Sequence, residues 1–213
     1  MRENIKIIIL TKSSKHHGYC VAGVDAKTGK WIRLVSSDIN THGALSACHL
    51  KYKDGTYCRP LDIVSVPIIK RCPTVLQPEN ILIDEKAQWT KIGRASLGEL
   101  INTHMLESHV YLLGNAYPYI TSAKIGTVGH SLELVYVKNM IIYHPQEQRT
   151  KACFDSLNGI TYKDMSVTDR DFYDMPNNTM IGDALIVVSL PDTPIMENRY
   201  YKFVAKIFPI NKK

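Results

Sequence analysis

"KHHGYCVAGVDAKTGKWIRLVSSD", residues 15–38, is the stretch on which the fold turns. Two short apolar runs, 19–24 and 31–35, flank "DAKTGK", where Gly29 stands at a position that a tight turn fills with positive φ. The stretch reads as a β-hairpin. In its second run Trp31 and Arg33 alternate with Ile32 and Leu34, so the aromatic-cationic pair shares one face and the aliphatic pair the other. With the aliphatic face in the core, Trp31 and Arg33 are displayed together, next to Lys12, Lys15, His16 and His17 of the preceding segment and Lys30 of the turn. The competing reading buries the tryptophan and lets Arg33 cover its ring or pair with Asp25 or Asp38.

Outward from the hairpin the same writing continues. Val-, Ile- and Tyr-rich runs at 5–11, 61–69, 132–137, 140–143, 184–190 and 200–208 are bounded by Gly, Pro, Asn or Asp, the punctuation of strands. One segment departs: "SLGELINTHMLESHVYLL", residues 96–113, sets Leu97, Leu100, Ile101 and Met105 at helical spacing behind a Ser96/Glu99 capping box. One helix is expected there. The glycine-spaced "KIGTVGH", 124–130, then opens a second run of strands, which puts the expected domain boundary between 125 and 126. Two internal echoes suggest duplication: "IIILTKSSKHHGYCVAGV" with "LIVVSLPDTPIMENRYYKFVAKI", and "GKWIRLVSSD" with "GITYKDMSVTD".

Composition narrows the classes. A chain of 213 residues with 45% hydrophobic and 22% charged content is that of a packed globular protein, not of a disordered one. Its 26 Lys+Arg against 20 Asp+Glu give a net charge of +6, which favours polyanionic partners without requiring them. The five cysteines form no CxxC pair, and the apolar run at 5–10, broken by Lys6, is too short for a signal peptide or a membrane span. A cytoplasmic protein with reduced thiols and no membrane partner is the expectation.

Three stretches carry further resemblance. The opening "KIIILTKSSKHHGYCVAGVDAKTGKWIRLVS", the central "PLDIVSVPI" with "QPENILI", and the late "SVTD" with "YYKFVAKI" resemble bacterial proteins described as containing a dual OB-fold domain. The resemblance implies a mainly β chain of two OB-like Greek-key β-barrels, 1–125 with the helix as an insertion and 126–213. It also implies a nucleic-acid or nucleotide recognition role, and it carries no catalytic residues.

The residues themselves supply roles for such a binder, of a single strand or a modified base. Lys12, Lys15 and Lys30 would position phosphates, with His16 and His17 adding contacts, while Trp31 stacks a base next to Arg33. "QPEN" offers Gln77, Glu79 and Asn80, whose amides and carboxylate suit base edges and equally suit loop capping. "SVTDRDFYD", 166–174, clusters Asp169, Asp171 and Asp174; such carboxylates hold Mg²⁺ or Mn²⁺ in a metal-dependent enzyme acting on nucleotides, or cap a turn at a strand end. Cys20, Cys48, Cys58 and Cys72 with nearby histidines provide zinc ligand types without zinc spacing. The chain has no GxSxG, P-loop or HExxH motif. Binding without a cofactor is therefore the leading expectation, and a protein-interaction module stands beside it.

Overall fold

The structure, a computed structural model, describes residues 3–15, 17–102, 109–146 and 149–210. By packing the chain divides into two units, Met1–Thr74 with Pro78–Met105, and Val75–Gln77 with Leu106–Lys213. The expected division at 125/126 thus moves some twenty residues toward the N-terminus. The reason is that Leu112, Leu113 and Ile120 bury their side chains in the second core. Val75–Gln77 also belongs to the second unit, where Leu76 packs on that core and the Gln77 amide donates to the Leu190 carbonyl at 3.2 Å.

The first unit holds six strands: β1 (Glu3–Lys15), β2 (Gly18–Asp25), β3 (Trp31–Val35), β4 (Asp62–Arg71), β5 (Asn80–Ile83) and β6 (Thr90–Arg94). Neighbours run β1-β2-β3-β5-β4, and β4 returns to β1, so five strands close a ring while β6 extends β4. Every contact in the ring is antiparallel except β3 with β5, which is parallel. Alternate residues of β1 (Ile5, Ile7, Ile9) and β4 (Val64, Val66, Ile68) fill the interior with Ile32, Leu34 and Trp89. To serve two neighbours, β1 must bend. It does so at a register shift between Ile9 and Thr11, opposite Gly23, where a Cβ would lie 1.9 Å from the Ile8 carbonyl oxygen.

After this barrel comes α1 (Leu97–Asn102), and the capping box is formed: Ser96 N–H donates to Glu99 Oε2 at 2.6 Å and Glu99 N–H to Ser96 Oγ at 3.2 Å. The expected helix is described over Leu97–Asn102; residues 109–111 of its sequence span are not helical, and Met105 lies outside the described residues. The helix also follows the closed ring rather than interrupting it, because β1 to β5 complete the barrel before residue 84.

The second unit begins with β7 (Tyr119–Thr121) and the one-turn α2 (Ser122–Ile125), followed by β8 (Leu132–Gln146), β9 (Arg149–Ser156), β10 (Thr161–Val167), β11 (Thr179–Ser189), β12 (Arg199–Tyr201) and β13 (Phe203–Pro209). Strands β8, β9, β10, β13 and β11 form a closed barrel, and β7 pairs with β12 as a separate ribbon. Counting within the barrel, the order is first, second, third, fifth, fourth, and again only the third-with-fifth contact is parallel. Gly182, at φ +80°, sits at the register shifts that bend β11. Phe154 and Tyr162, stacked 5.6 Å apart, anchor the core.

The two units therefore share one topology. Of the two echoes, "GKWIRLVSSD" and "GITYKDMSVTD" fall on equivalent third strands, β3 and β10. Each ends in an aspartate capping a 3-10 turn, Asp38 accepting from Asn40 N–H and Asp169 from Asp171 N–H. The other echo matches β1 and β2 with β11 and β13, which occupy different places in their barrels.

Candidate nucleic-acid interface

In the first unit two separately recognised stretches meet. Arg33 lies opposite Asn80 in the parallel β3–β5 contact, and its backbone N–H donates to the Glu79 carbonyl at 3.0 Å. They meet on the face away from the barrel core, yet covered and not on display. Arg33 is only 3% exposed, its guanidinium 3.5 Å from the Glu79 carboxylate and 2.9 Å from Cys20 Sγ. The aliphatic face of β3 is in the core as expected, but the opposite face is covered at Arg33 as well, because the loop entering β5 folds back over it. Asp25 is not the partner: its carboxylate accepts the N–H groups of Lys27 and Thr28 in the hairpin turn.

The remaining candidates scatter. Gln77 and Asn80 are buried, the former against the second unit's own backbone. The Lys12 ammonium donates to the Cys58 carbonyl at 3.0 Å and lies 5.3 Å from the centre of the Tyr19 ring. Trp31 and Lys15 are half-buried, His17 and Lys30 exposed, and His16 lies outside the described residues. Burial raises the Asp169 carboxyl above the ordinary range, and its nearest cation is Lys206, 3.0 Å away. Asp171 reaches the same ammonium, so of the two readings of the acidic cluster the geometry present is the turn cap, with two carboxylates converging on a lysine. Asp174 is exposed nearby. Cysteines 20, 48, 58, 72 and 153 form no disulfide.

A basic-aromatic surface is present instead on the second barrel, built by alternation. Along β9, Thr150, Ala152 and Phe154 point inward, which turns Arg149 and Lys151 outward. Along β12 and β13 the inward residues are Tyr200, Lys202 and Val204, which turns Tyr201 and Phe203 outward. Cross-strand register then aligns Lys151 with Ser166 and Ser166 with Phe203, one outward row across three strands. The Lys151 ammonium donates to Ser166 Oγ at 2.7 Å and to the Asp164 carbonyl at 3.1 Å, and burial holds its pKa below that of a solvated lysine.

This row is the floor of a cavity of about 420 Å³, walled by Arg149, Tyr173, Tyr201 and the exposed Ile195 and Met196. The volume falls in the range of small-molecule pockets, ~300–1,000 Å³. Beside it Tyr201 and Tyr119 lie 5.7 Å apart, Tyr117 stacks on Tyr119 at 6.1 Å, and the Arg199 guanidinium sits 4.6 Å over the Tyr119 ring. Sequence reading passed over these residues because "RTK" and "NRYYKF" are ordinary strand ends; their proximity depends on a parallel contact whose paired residues are 37 apart in the chain. The outward aromatic pair Tyr201 and Phe203, spaced by two like Trp31 and Arg33, was the available signal.

A pair of five-stranded Greek-key barrels, each with a parallel third-with-fifth contact, defines a dual OB-type protein. The family described as the dual OB-containing domain matches residues 5–207, and the chain belongs to it. Among curated proteins none matches. Among solved structures the chain is similar to a tetrameric HIN2 crystal structure, with 9% identity, a TM-score of 0.36, and 99% of this chain and 94% of that chain covered. It is also similar to a murine DNA binding protein bound with double-stranded DNA, with 6% identity, a TM-score of 0.35 and coverage of 99% and 100%. Among the described residues no helix is long and apolar enough to cross a membrane.

Proposed function

We propose that the chain recognises single-stranded nucleic acid, or a nucleotide of it, through the second barrel. OB barrels take up oligonucleotides on the face of their second and third strands and on the loops joining the first to the second and the fourth to the fifth. The cavity occupies that place: Arg149 and Lys151 lie on the second strand, Ser166 on the third, and Ile195 to Tyr201 in the connection between the fourth and fifth. The observation that carries the reading is the outward row Lys151, Ser166, Phe203, which puts a cation, a hydroxyl and an aromatic ring side by side on the floor.

Arg149 and Lys151 neutralise backbone phosphates, and Tyr201, Phe203 and Tyr173 offer stacking faces that accept any base. Fluorescence anisotropy with labelled single- and double-stranded DNA and RNA over a salt series tests this. Tyr201→Ala is expected to weaken single-strand binding roughly 5- to 150-fold, the range of one lost stacked base. Arg149→Ala should lower the slope of log affinity against log salt by about 0.7. Absence of binding at low salt overturns the proposal. Binding that survives Tyr201→Ala and is lost on Trp31→Ala moves the interface to the first barrel.

A further inference from the structure

At the start of β8 the second unit buries a carboxylate beneath two imidazoles. The Glu133 side chain has 0% exposure, His130 Nε2 lies 2.7 Å from its Oε1, and His109 Nδ1 lies 3.1 Å from the same oxygen. The Leu113 N–H donates to both carboxylate oxygens at 3.1 Å. A buried carboxylate needs compensating charge, and besides the two imidazoles the buried Lys202 ammonium acts on Glu133.

The second nitrogen of His130 sharpens the point. His130 Nδ1 is 2.8 Å from the Val128 carbonyl, which only accepts, so Nδ1 carries the proton. In the neutral ring the Nε2 lone pair then faces a carboxylate oxygen at 2.7 Å, a repulsive contact unless a second proton or a metal ion stands between them. His109, its ring centre 5.3 Å from that of His130, points a nitrogen at the same spot. The three ligand atoms lie within 4.8 Å of one another. Two imidazoles and one carboxylate are a catalytic-type zinc set, for which bonds of about 2.0–2.2 Å put ligands roughly 3.3 Å apart. The two nitrogen–oxygen distances, 2.7 and 3.1 Å, would open by about 0.6 and 0.2 Å to reach that spacing, and the two ring nitrogens lie within 4.8 Å of each other.

The supporting contacts are those of a metal site as well. A carbonyl fixes the tautomer of one histidine, and a backbone N–H orients the carboxylate. Facing the group is a cavity of about 300 Å³ lined also by Tyr111, Gly114 and Thr127, room for a water in a fourth position.

We propose that His109, His130 and Glu133 bind one Zn²⁺ ion, with the fourth position open to this cavity. The site is independent of the nucleic-acid reading. It is tested by stripping the full chain with a chelator and titrating Zn²⁺ by calorimetry and Co²⁺ by visible absorption. The expected result is about one ion per chain, a tetrahedral Co²⁺ spectrum, and affinity that falls with acidification as the histidines protonate. His109→Ala, which removes a half-exposed ring, should weaken Zn²⁺ at least tenfold in a chain that keeps the parent's far-ultraviolet circular-dichroism spectrum; Cys48→Ser should bind as the parent does. No metal uptake, with the His130 ring titrating as an imidazolium by NMR, would reduce the group to an ion pair and overturn the site, as would uptake undiminished in His109→Ala.

Discussion

Lys202 shows how far a single side chain can be from its composition-level role. It counts toward a basic surface, yet it is fully buried, its ammonium donating to the carbonyls of Leu112 and Asn115 and to the Asn115 side chain at 2.6–2.9 Å. Burial pushes its pKa down to about 7, against about 10.4 for an unfolded lysine. Between those values the unfolded chain binds the extra proton, so unfolding free energy rises with pH. Cys58, pushed up to about 11 by burial, acts in the opposite sense above its ordinary range, so the clean window is pH 7–8.5. Urea denaturation followed by circular dichroism should show stability rising across that window in the parent, with this rise removed in Lys202→Met. Arg33 makes the same point: the alternation that put it on an outward face was right about direction, but the Glu79 carboxylate lies 46 residues away in sequence and covers it.

At the scale of elements, the strands were readable because inward and outward residues alternate, and the hairpin because Gly29 and the Asp25 turn are local. Strand curvature was not. Gly23 looks like an ordinary small residue within "CVAGVD", whereas its missing side chain lets the bent β1 cross close over it. Gly23→Ala must displace the Ile8 carbonyl, backbone against backbone, and is expected to cost about 3 kcal/mol or more, at the severe end for a point substitution. Gly29→Ala has open space around its Cβ and pays only the left-handed backbone strain, ~1 kcal/mol. Denaturant midpoints of the two variants give the comparison. The helix from Ser96 illustrates the complementary case: its cap is a three-residue signal and formed as read, but its place relative to the barrel depended on where the fifth strand closed.

At the scale of the molecule, one topology is used twice with different faces covered. The segment Val75–Gln77 leaves the first unit's sequence span to pack in the second, with Leu76 against its core. Leu76→Ala should therefore lower the stability of the second unit by about 1–2 kcal/mol, less than a fully buried leucine would cost. Both tryptophans, Trp31 and Trp89, lie in the first unit, so fluorescence reports that unit and should hold its midpoint while circular dichroism resolves the loss in the other. Sequence by itself determined the class: short alternating strands, turn residues between them, a repeated third-strand pattern ending in a capping aspartate, and enough apolar content for two cores. These are features within a few residues of one another, where period and turn chemistry act directly. Only the tertiary structure decided which outward faces stay open. It sealed Arg33 under Glu79, set Lys206 between Asp169 and Asp171, opened the row from Lys151 to Phe203, and gathered His109, His130 and Glu133. Coverage and convergence of that kind depend on which distant segments share a barrel edge, and pairings across tens of residues leave no periodic trace along the chain.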